Sequence, residues 1–213
     1  MSSFSAAILS GGRSRRMGQD KAFLPIGSKP SLERVIHTLR SLTDDLLIII
    51  GEEEARARIV KLAAPLSHCL HVVADLIPGK GTLGGMFTAL QLARYDYCIV
   101  VGCDMPFLNP GLLRFQVSLA PGYQAVVPYA NRQLQPLHAV YHRDCAGVMK
   151  QDLQAGHLKA AGFLANVSYR IVDRQEILPL DPQFLSFRNM NTPEDWREFD
   201  RWAQASERKN RSP

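Results

Sequence analysis

A glycine pair and four cations lie close together near the start of the chain, where residues 9–21 read Leu-Ser-Gly-Gly-Arg-Ser-Arg-Arg-Met-Gly-Gln-Asp-Lys. The stretch follows Phe4 to Leu9, an apolar run with the length and composition of a buried first strand. Gly11 and Gly12 allow positive φ and leave the backbone amides open to a ligand. Arg13, Arg15, Arg16 and Lys21 place four positive charges within nine positions. Bare amides and clustered cations at the end of a strand suit a triphosphate: the amides take its oxygens, and Arg and Lys offset its charge. A basic loop that merely faces solvent would share this composition. Lys21 argues for a site, because it closes Met-Gly-Gln-Asp-Lys just before a second apolar stretch, Ala22 to Ile26.

Carboxylates at strand ends form the second constellation. Asp104 ends the apolar run Tyr97 to Cys103 and precedes Met105-Pro106. At the carboxyl end of a central parallel strand it faces the crevice where open α/β sheets bind ligands. Beside a triphosphate it would be repelled unless a divalent cation intervened, and Mg²⁺ typically takes one or two carboxylates plus phosphate oxygens. Asp104 is therefore the candidate metal ligand and Mg²⁺ the expected cofactor; a turn-capping aspartate is the alternative. Asp75 holds the equivalent place after the third apolar run, with a structural role as its alternative. Residues 79–84 spell G-x-G-x-x-G with Asp104 twenty residues beyond Gly84, the form of a dinucleotide fingerprint. Its context is wrong, since two βα units come first and Asp75-Leu76-Ile77-Pro78 separates it from its strand. His138 and His142 are four apart, but on a strand they share no helical face and have no third ligand nearby, so zinc is not expected. No Walker loop, G-x-S-x-G or aromatic–basic alternation of the RNA-binding kind occurs.

These residues need a scaffold, and the apolar runs supply one. Leu46 to Ile50, Leu70 to Ala74 and Tyr97 to Val101 join the first run as continuous apolar strands, which implies a parallel sheet covered on both faces. Leu32, Val35, Ile36, Leu39 and Leu42 repeat at helical spacing, so a crossover helix is predicted over 31–42, with others at 52–63 and 85–94. The second half is mixed: apolar stretches at 125–127 and 137–141, helical segments at 144–154 and 157–165, and a strand at 168–172. Thr192 as N-cap, Pro193 at the first helical position and Asp195 in a capping-box-like pattern start a last helix, with Trp196, Phe199 and Trp202 on its buried face. The expected fold is one three-layer α/β/α domain over 1–205, with a mostly parallel sheet and a frayed tail from 206. Its nucleotide half would span 4–105 and its acceptor half 106–205.

With 213 residues, 46% of them hydrophobic and 21% charged, the composition is that of a soluble globular domain. A net charge of +5 fits an anionic ligand. Four cysteines without a C-x-x-C pair read as reduced core or rim residues. There is no leader-like start and no run of 18 apolar residues, so a cytoplasmic protein is expected.

The first loop resembles the motif Leu-x-Gly-Gly-x-Ser-x-Arg-Met-Gly-x-Asp-Lys of nucleotidyltransferases with a Rossmann-like fold. Among these, the chain is most similar to the molybdenum cofactor guanylyltransferases. The similarity continues at Asp75, at Pro78 to Gly85, at Asp104-Met105-Pro106, at Gln135 to Tyr141 and at Asn189 to Asp195, in the family's order. The resemblance implies transfer of GMP from GTP to the terminal phosphate of molybdopterin or its molybdenum form, with Mg²⁺ and release of pyrophosphate. It also implies backbone contacts from Leu9, Ser10, Gly11 and Gly12 to the nucleotide, Lys21 on the phosphates, Arg13 and Arg16 on leaving-group charge, and Asp104 on the metal. Asp75, Gly84 and Gly85 would line the nucleotide pocket as part of a second glycine loop. Asn189 and Asn191 would face the pterin acceptor, or else simply form the turn. Partners implied are the two substrates and transient contacts with other cofactor-biosynthesis or molybdoenzyme-maturation proteins; no nucleic acid or membrane is expected. The chain departs from the family pattern at Thr82, where many relatives have Pro, and at Gly51, where relatives often carry a polar nucleotide contact. Three alternatives stand beside this reading: a sibling enzyme using CTP or a sugar phosphate, an NAD-dependent oxidoreductase, and a nucleotide sensor with a degenerate site. The Gly11-Gly12 pair resembles the guanylyl-type loop, whereas cytidylyl relatives more often show Ala-Gly.

Overall fold

A computed structural model describes residues 3–10, 21–51, 56–64 and 69–209. The glycine–arginine loop, with Gly11, Gly12, Arg13 and Arg16, lies outside them. The first half runs β1 (Ser5–Ser10), a small hairpin of β2 (Pro25–Ile26) and β3 (Lys29–Pro30), α1 (Ser31–Arg40), β4 (Leu46–Ile50), α2 (Arg56–Ala63), β5 (Leu70–Ala74), α3 (Gly81–Leu92) and β6 (Tyr97–Gly102). There follow α4 (Pro110–Ser118), β7 (Ala125–Ala130), β8 (Gln133–Leu134), β9 (His138–His142), α5 (Cys145–Ala155), β10 (Tyr169–Val172), α6 (Arg174–Ile177) and α7 (Pro193–Lys209).

The continuous apolar strands alternate sides, and each side finds helices. Ala6, Ile8, Ile48, Ile50, Ile99 and Val101 pack with Leu32, Val35, Ile36 and Leu39 of α1 and Leu112 and Leu113 of α4. Ala7, Leu47, Ile49 and Val100 pack with Leu83, Met86 and Leu90 of α3 and Met149 and Leu153 of α5. The layering is thus α/β/α, as expected. The sheet order is β10-β7-β9-β6-β1-β4-β5, with β8 added beside β7. β1 is parallel to β4 and β6, β4 to β5, and β10 to β7. β9 runs antiparallel to both neighbours, β6 and β7. Only residues 131–137 separate β7 from β9. A parallel return needs a dozen or more residues, so the chain reverses.

Several boundaries differ from the sequence reading. α3 begins at Gly81 rather than at 85, and α1 stops at Arg40. The predicted helix over 157–165 is only a 3₁₀ turn at Gly162–Asn166, because Gly156, at φ +80°, terminates α5 and the following chain buries just Phe163 and Leu164 of that turn. The helix α4 was not predicted, although Asn109 caps it, accepting from the Leu112 amide at 3.0 Å. α7 runs past 205 to Lys209 instead of fraying from 206. Its Glu207 pairs with Arg34 of α1 and accepts from the Ser28 amide at 3.2 and 3.3 Å. No disulfide joins the cysteines among the described residues, and Cys98 and Cys145 are buried.

Candidate active site

The carboxyl ends of β1 and β6 are tied together, and Asp104 projects from that junction. The Cys103 amide donates to the Leu9 carbonyl at 3.2 Å, and the Ser31 hydroxyl donates to the Cys103 carbonyl at 3.0 Å. The half-buried Asp104 folds its side chain back over Gly102, where an added Cβ would lie 2.6 Å from Oδ1. Only glycine lets the carboxyl lie there. Burial pushes the Asp104 carboxyl above the usual carboxylate range, and the neighbouring Lys21 ammonium draws it partly back.

Lys21 heads a short 3₁₀ turn, Lys21–Phe23, and its Nζ donates to Asn191 Oδ1 at 2.8 Å. Asn191 belongs to the entry of α7, which is built as the capping pattern predicts. The Thr192 amide donates to Asp195 Oδ2 at 2.9 Å, and the Asp195 amide donates to Thr192 Oγ1 at 3.1 Å. Asp195 Oδ2 also takes the Asn191 amide at 2.9 Å. The Met190 amide donates to the Asp104 carbonyl at 3.0 Å, so the Asn-Met-Asn segment is fastened directly to the end of β6. Asn189 is exposed on the same segment. Lys21, Asp104 and Asn191, distant in sequence, therefore meet at one place, with Asn189 two residues away.

Asp75 is partly committed to structure. Its Oδ1 accepts from the Ile77 amide at 3.0 Å and from the Thr88 hydroxyl at 2.7 Å. Its Oδ2 lies against Gly84, 3.2 Å from where a Cβ would be. Gly84 and Gly85 are not in an open loop; both are buried in the first turns of α3. A Cβ on Gly85 would touch the Leu9 side chain at 3.4 Å, and one on Gly84 would crowd the Ile77 carbonyl at 3.1 Å, so both glycines sit in close packing. The open glycines are Gly79 and Gly81, at φ +81° and +64°, with nothing within 4 Å of an added Cβ. The literal G-x-G-x-x-G held that signal, but the pattern does not say which of its glycines faces outward. Ser10 and Gly51 adjoin at the ends of β1 and β4, the Gly51 amide donating to the Ser10 carbonyl at 3.4 Å.

Residues 6–169 match the family model of the MobA-like NTP transferase domain. The chain belongs to that family. A probable molybdenum cofactor guanylyltransferase of Pelotomaculum thermopropionicum is 38% identical over 188 residues, covering 88% of this chain and 87% of that one. Among solved structures, molybdopterin-guanine dinucleotide biosynthesis protein A from Archaeoglobus fulgidus matches with a TM-score of 0.80 at 24% identity, over 94% of this chain and 99% of its own. The 4-diphosphocytidyl-2C-methyl-D-erythritol synthase of Anaerococcus prevotii matches with a TM-score of 0.72 at 13% identity, over 94% and 95%. At these identities both structures speak to the fold, which this chain shares with enzymes of differing names.

In this MobA-like domain, then, the structure joins Lys21 and Asn191 beside Asp104, leaves Asn189 exposed on the same segment, puts Gly84 and Gly85 into a packed helix, and divides Asp75 between a turn and α3. The Gln135–Tyr141 motif turns out to be largely interior. His138 at the start of β9 is fully buried against Phe187, ring centroids 4.6 Å apart, and its carbonyl accepts from Gln116 Nε2 at 2.8 Å. Among the described residues no helix is long and apolar enough to cross a membrane.

Proposed function

We propose that this protein transfers GMP from GTP to the terminal phosphate of molybdopterin or its molybdenum form, releasing pyrophosphate. The observation that carries the reading is the meeting of Lys21, Asp104 and Asn191 beyond the ends of β1 and β6, in a chain 38% identical to a probable molybdenum cofactor guanylyltransferase.

The acceptor phosphate is already an anionic nucleophile, so the reaction needs no strong general base. It needs two polyanions held in line and charge offset on the leaving pyrophosphate. Lys21 takes phosphate oxygens. The backbone of Leu9, Ser10, Gly11 and Gly12 cradles the nucleotide, and Arg13 and Arg16 receive the developing charge. Asp75 and the α3 entry, with Gly84 and Gly85, border the nucleotide, and Asn189 meets the acceptor. Nucleotide contacts fall mainly within 4–105 and acceptor contacts within 106–205 of one domain.

Asp104 suits Mg²⁺ of a particular kind. Among the described residues no three His, Cys, Asp or Glu side chains group into a ready metal cage. Mg²⁺ is commonly held by one or two carboxylates with phosphate oxygens and water. A single carboxylate disfavoured as an anion by burial, at the mouth of a phosphate site, fits an ion that arrives with the nucleotide. Bound there, Mg²⁺ would screen the phosphate oxygens and stabilise charge in the transition state.

A thermal-shift series tests the reading, since a ligand that binds only the native state raises the melting temperature by mass action. GTP with Mg²⁺ is expected to give a larger shift than CTP or ATP. A larger shift with CTP moves the protein to the cytidylyl branch, and a response to NAD without Mg²⁺ makes it an oxidoreductase.

A further inference from the structure

The Asn-Met-Asn segment resembles an acceptor contact, yet the Asn191 amide oxygen is turned onto Lys21. Both ends of that hydrogen bond are pinned. On one side, the Asn191 amide is held by Asp195, the Met190 amide by the Asp104 carbonyl, and the Met190 side chain is buried with Leu24, Ile26 and Phe199. On the other, the segment after Lys21 is held to α7 by Trp196 Nε1, which donates to the Pro25 carbonyl at 2.8 Å, and by the Gly27 amide, which donates to Asp200 Oδ1 at 2.7 Å. A lysine is a flexible four-carbon stem with three N–H donors, and without a fixed partner it samples many rotamers. Asn191 engages one donor and leaves two for an anion. Being neutral, it fixes the ammonium without cancelling its charge, which an aspartate at this position would do.

We propose that Asn191 is a positioning residue for Lys21: it sets the ammonium in place for the nucleotide's phosphates before any acceptor binds. The exposed Asn189 is then the asparagine left to face the acceptor. The inference rests on the GTP reading above, and its test keeps the two apart. GTP binding with Mg²⁺ and without acceptor is measured for the wild type, Asn191→Ala, Lys21→Ala and the double variant, with the ligand-free melting temperature of each. Asn191→Ala is expected to raise the Kd for GTP about three- to tenfold, the scale of the net worth of one exposed hydrogen bond. Lys21→Ala should raise it further, and the double variant should be no weaker than Lys21→Ala alone, because Asn191 acts through the lysine. Melting temperatures should stay together, since the Asn191 side chain is exposed and its backbone amide keeps Asp195.

An unchanged Kd for Asn191→Ala, with the wild type binding GTP normally, overturns the proposal and returns Asn191 to the acceptor. Additive losses in the double variant overturn it too, for Asn191 would then act on its own account. A wild type that ignores GTP with Mg²⁺ sinks the functional reading first and this inference with it.

Discussion

Asp104 carries two opposed requirements: burial disfavours its charge, and the chemistry assigned to it needs that charge. Its pKa is raised by burial above the value in an unfolded chain, so ionising it costs native stability as pH rises through the folded pKa. Asparagine is nearly isosteric and removes the cost along with the function. Asp104→Asn should therefore slow transfer by about 100-fold or more, about 3 kcal/mol in the transition state. At neutral pH its ligand-free melting temperature should hold or rise, and the advantage over wild type should shrink in acid, where wild-type Asp104 is also neutral. Pyrophosphate release followed against Mg²⁺ concentration checks the chemical half of this. Near-normal release with an unmoved Mg²⁺ midpoint would remove Asp104 from the site.

At the scale of elements, the site depends on how α7 clasps the β2–β3 hairpin, because Lys21 lies in the turn that leads into that hairpin and Asn191 in the segment that enters that helix. Phe199 sits fully buried at the centre of the clasp, with ring centroids 5.3 Å from Phe107 and 5.7 Å from Trp202, beside Leu24 and Ile26. Phe199→Ala should cost about 3–5 kcal/mol of stability through the cavity it leaves. It should also weaken GTP binding under conditions where the variant is still folded. Urea unfolding with parallel GTP titration checks both; lost stability with unaltered GTP affinity would show that the clasp does not place Lys21. The strands of the first half, α1 and the capped start of α7 were legible in the sequence because hydrophobic periodicity and capping chemistry are local. The α4 helix left an equally local cap at Asn109, but its apolar turn is short. The misjudged 157–165 segment shows the converse, apolar residues without enough core to receive them. Asp104 and Lys21 could be read as site residues from their place after apolar runs. The link from Lys21 to Asn191 could not, since it joins positions 170 residues apart and no local pattern encodes it. Gly84 and Gly85 are ambiguous for a related reason: a glycine that admits a ligand and one packed inside a helix look alike in a sequence.

Across the whole molecule, the antiparallel β9 lies inside an otherwise mostly parallel sheet and carries a titratable ring into the core. His138 has no exposed surface, and burial lowers its pKa to about 4. Both its ring nitrogens, and Oε1 of the adjacent Gln116, lack a hydrogen-bond partner among the described residues, so nothing there compensates a charge. In the unfolded chain the same ring titrates at about 6.5. The sign follows from proton counting. Between about pH 6.5 and the folded value near 4, the unfolded state binds a proton that the native state refuses, so stability rises with pH across that window. The stabilisation is fully present above about pH 6.5 and is lost on acidification, with a slope of up to about 1.4 kcal/mol per pH unit from this one group. His138→Leu keeps an apolar shape against Phe187 and abolishes the titration. Urea unfolding at a series of pH values from neutral to acid should therefore give the variant a shallower acid limb than wild type, with the two curves separating most below about pH 6. Because His138 lies on β9 directly beside β6, at the register of Val101, the acid unfolding it drives should dismantle the strand that leads into Asp104. GTP binding and native structure should then be lost together along the wild-type limb. Parallel limbs for wild type and His138→Leu would mean that His138 is protonated in the native state after all.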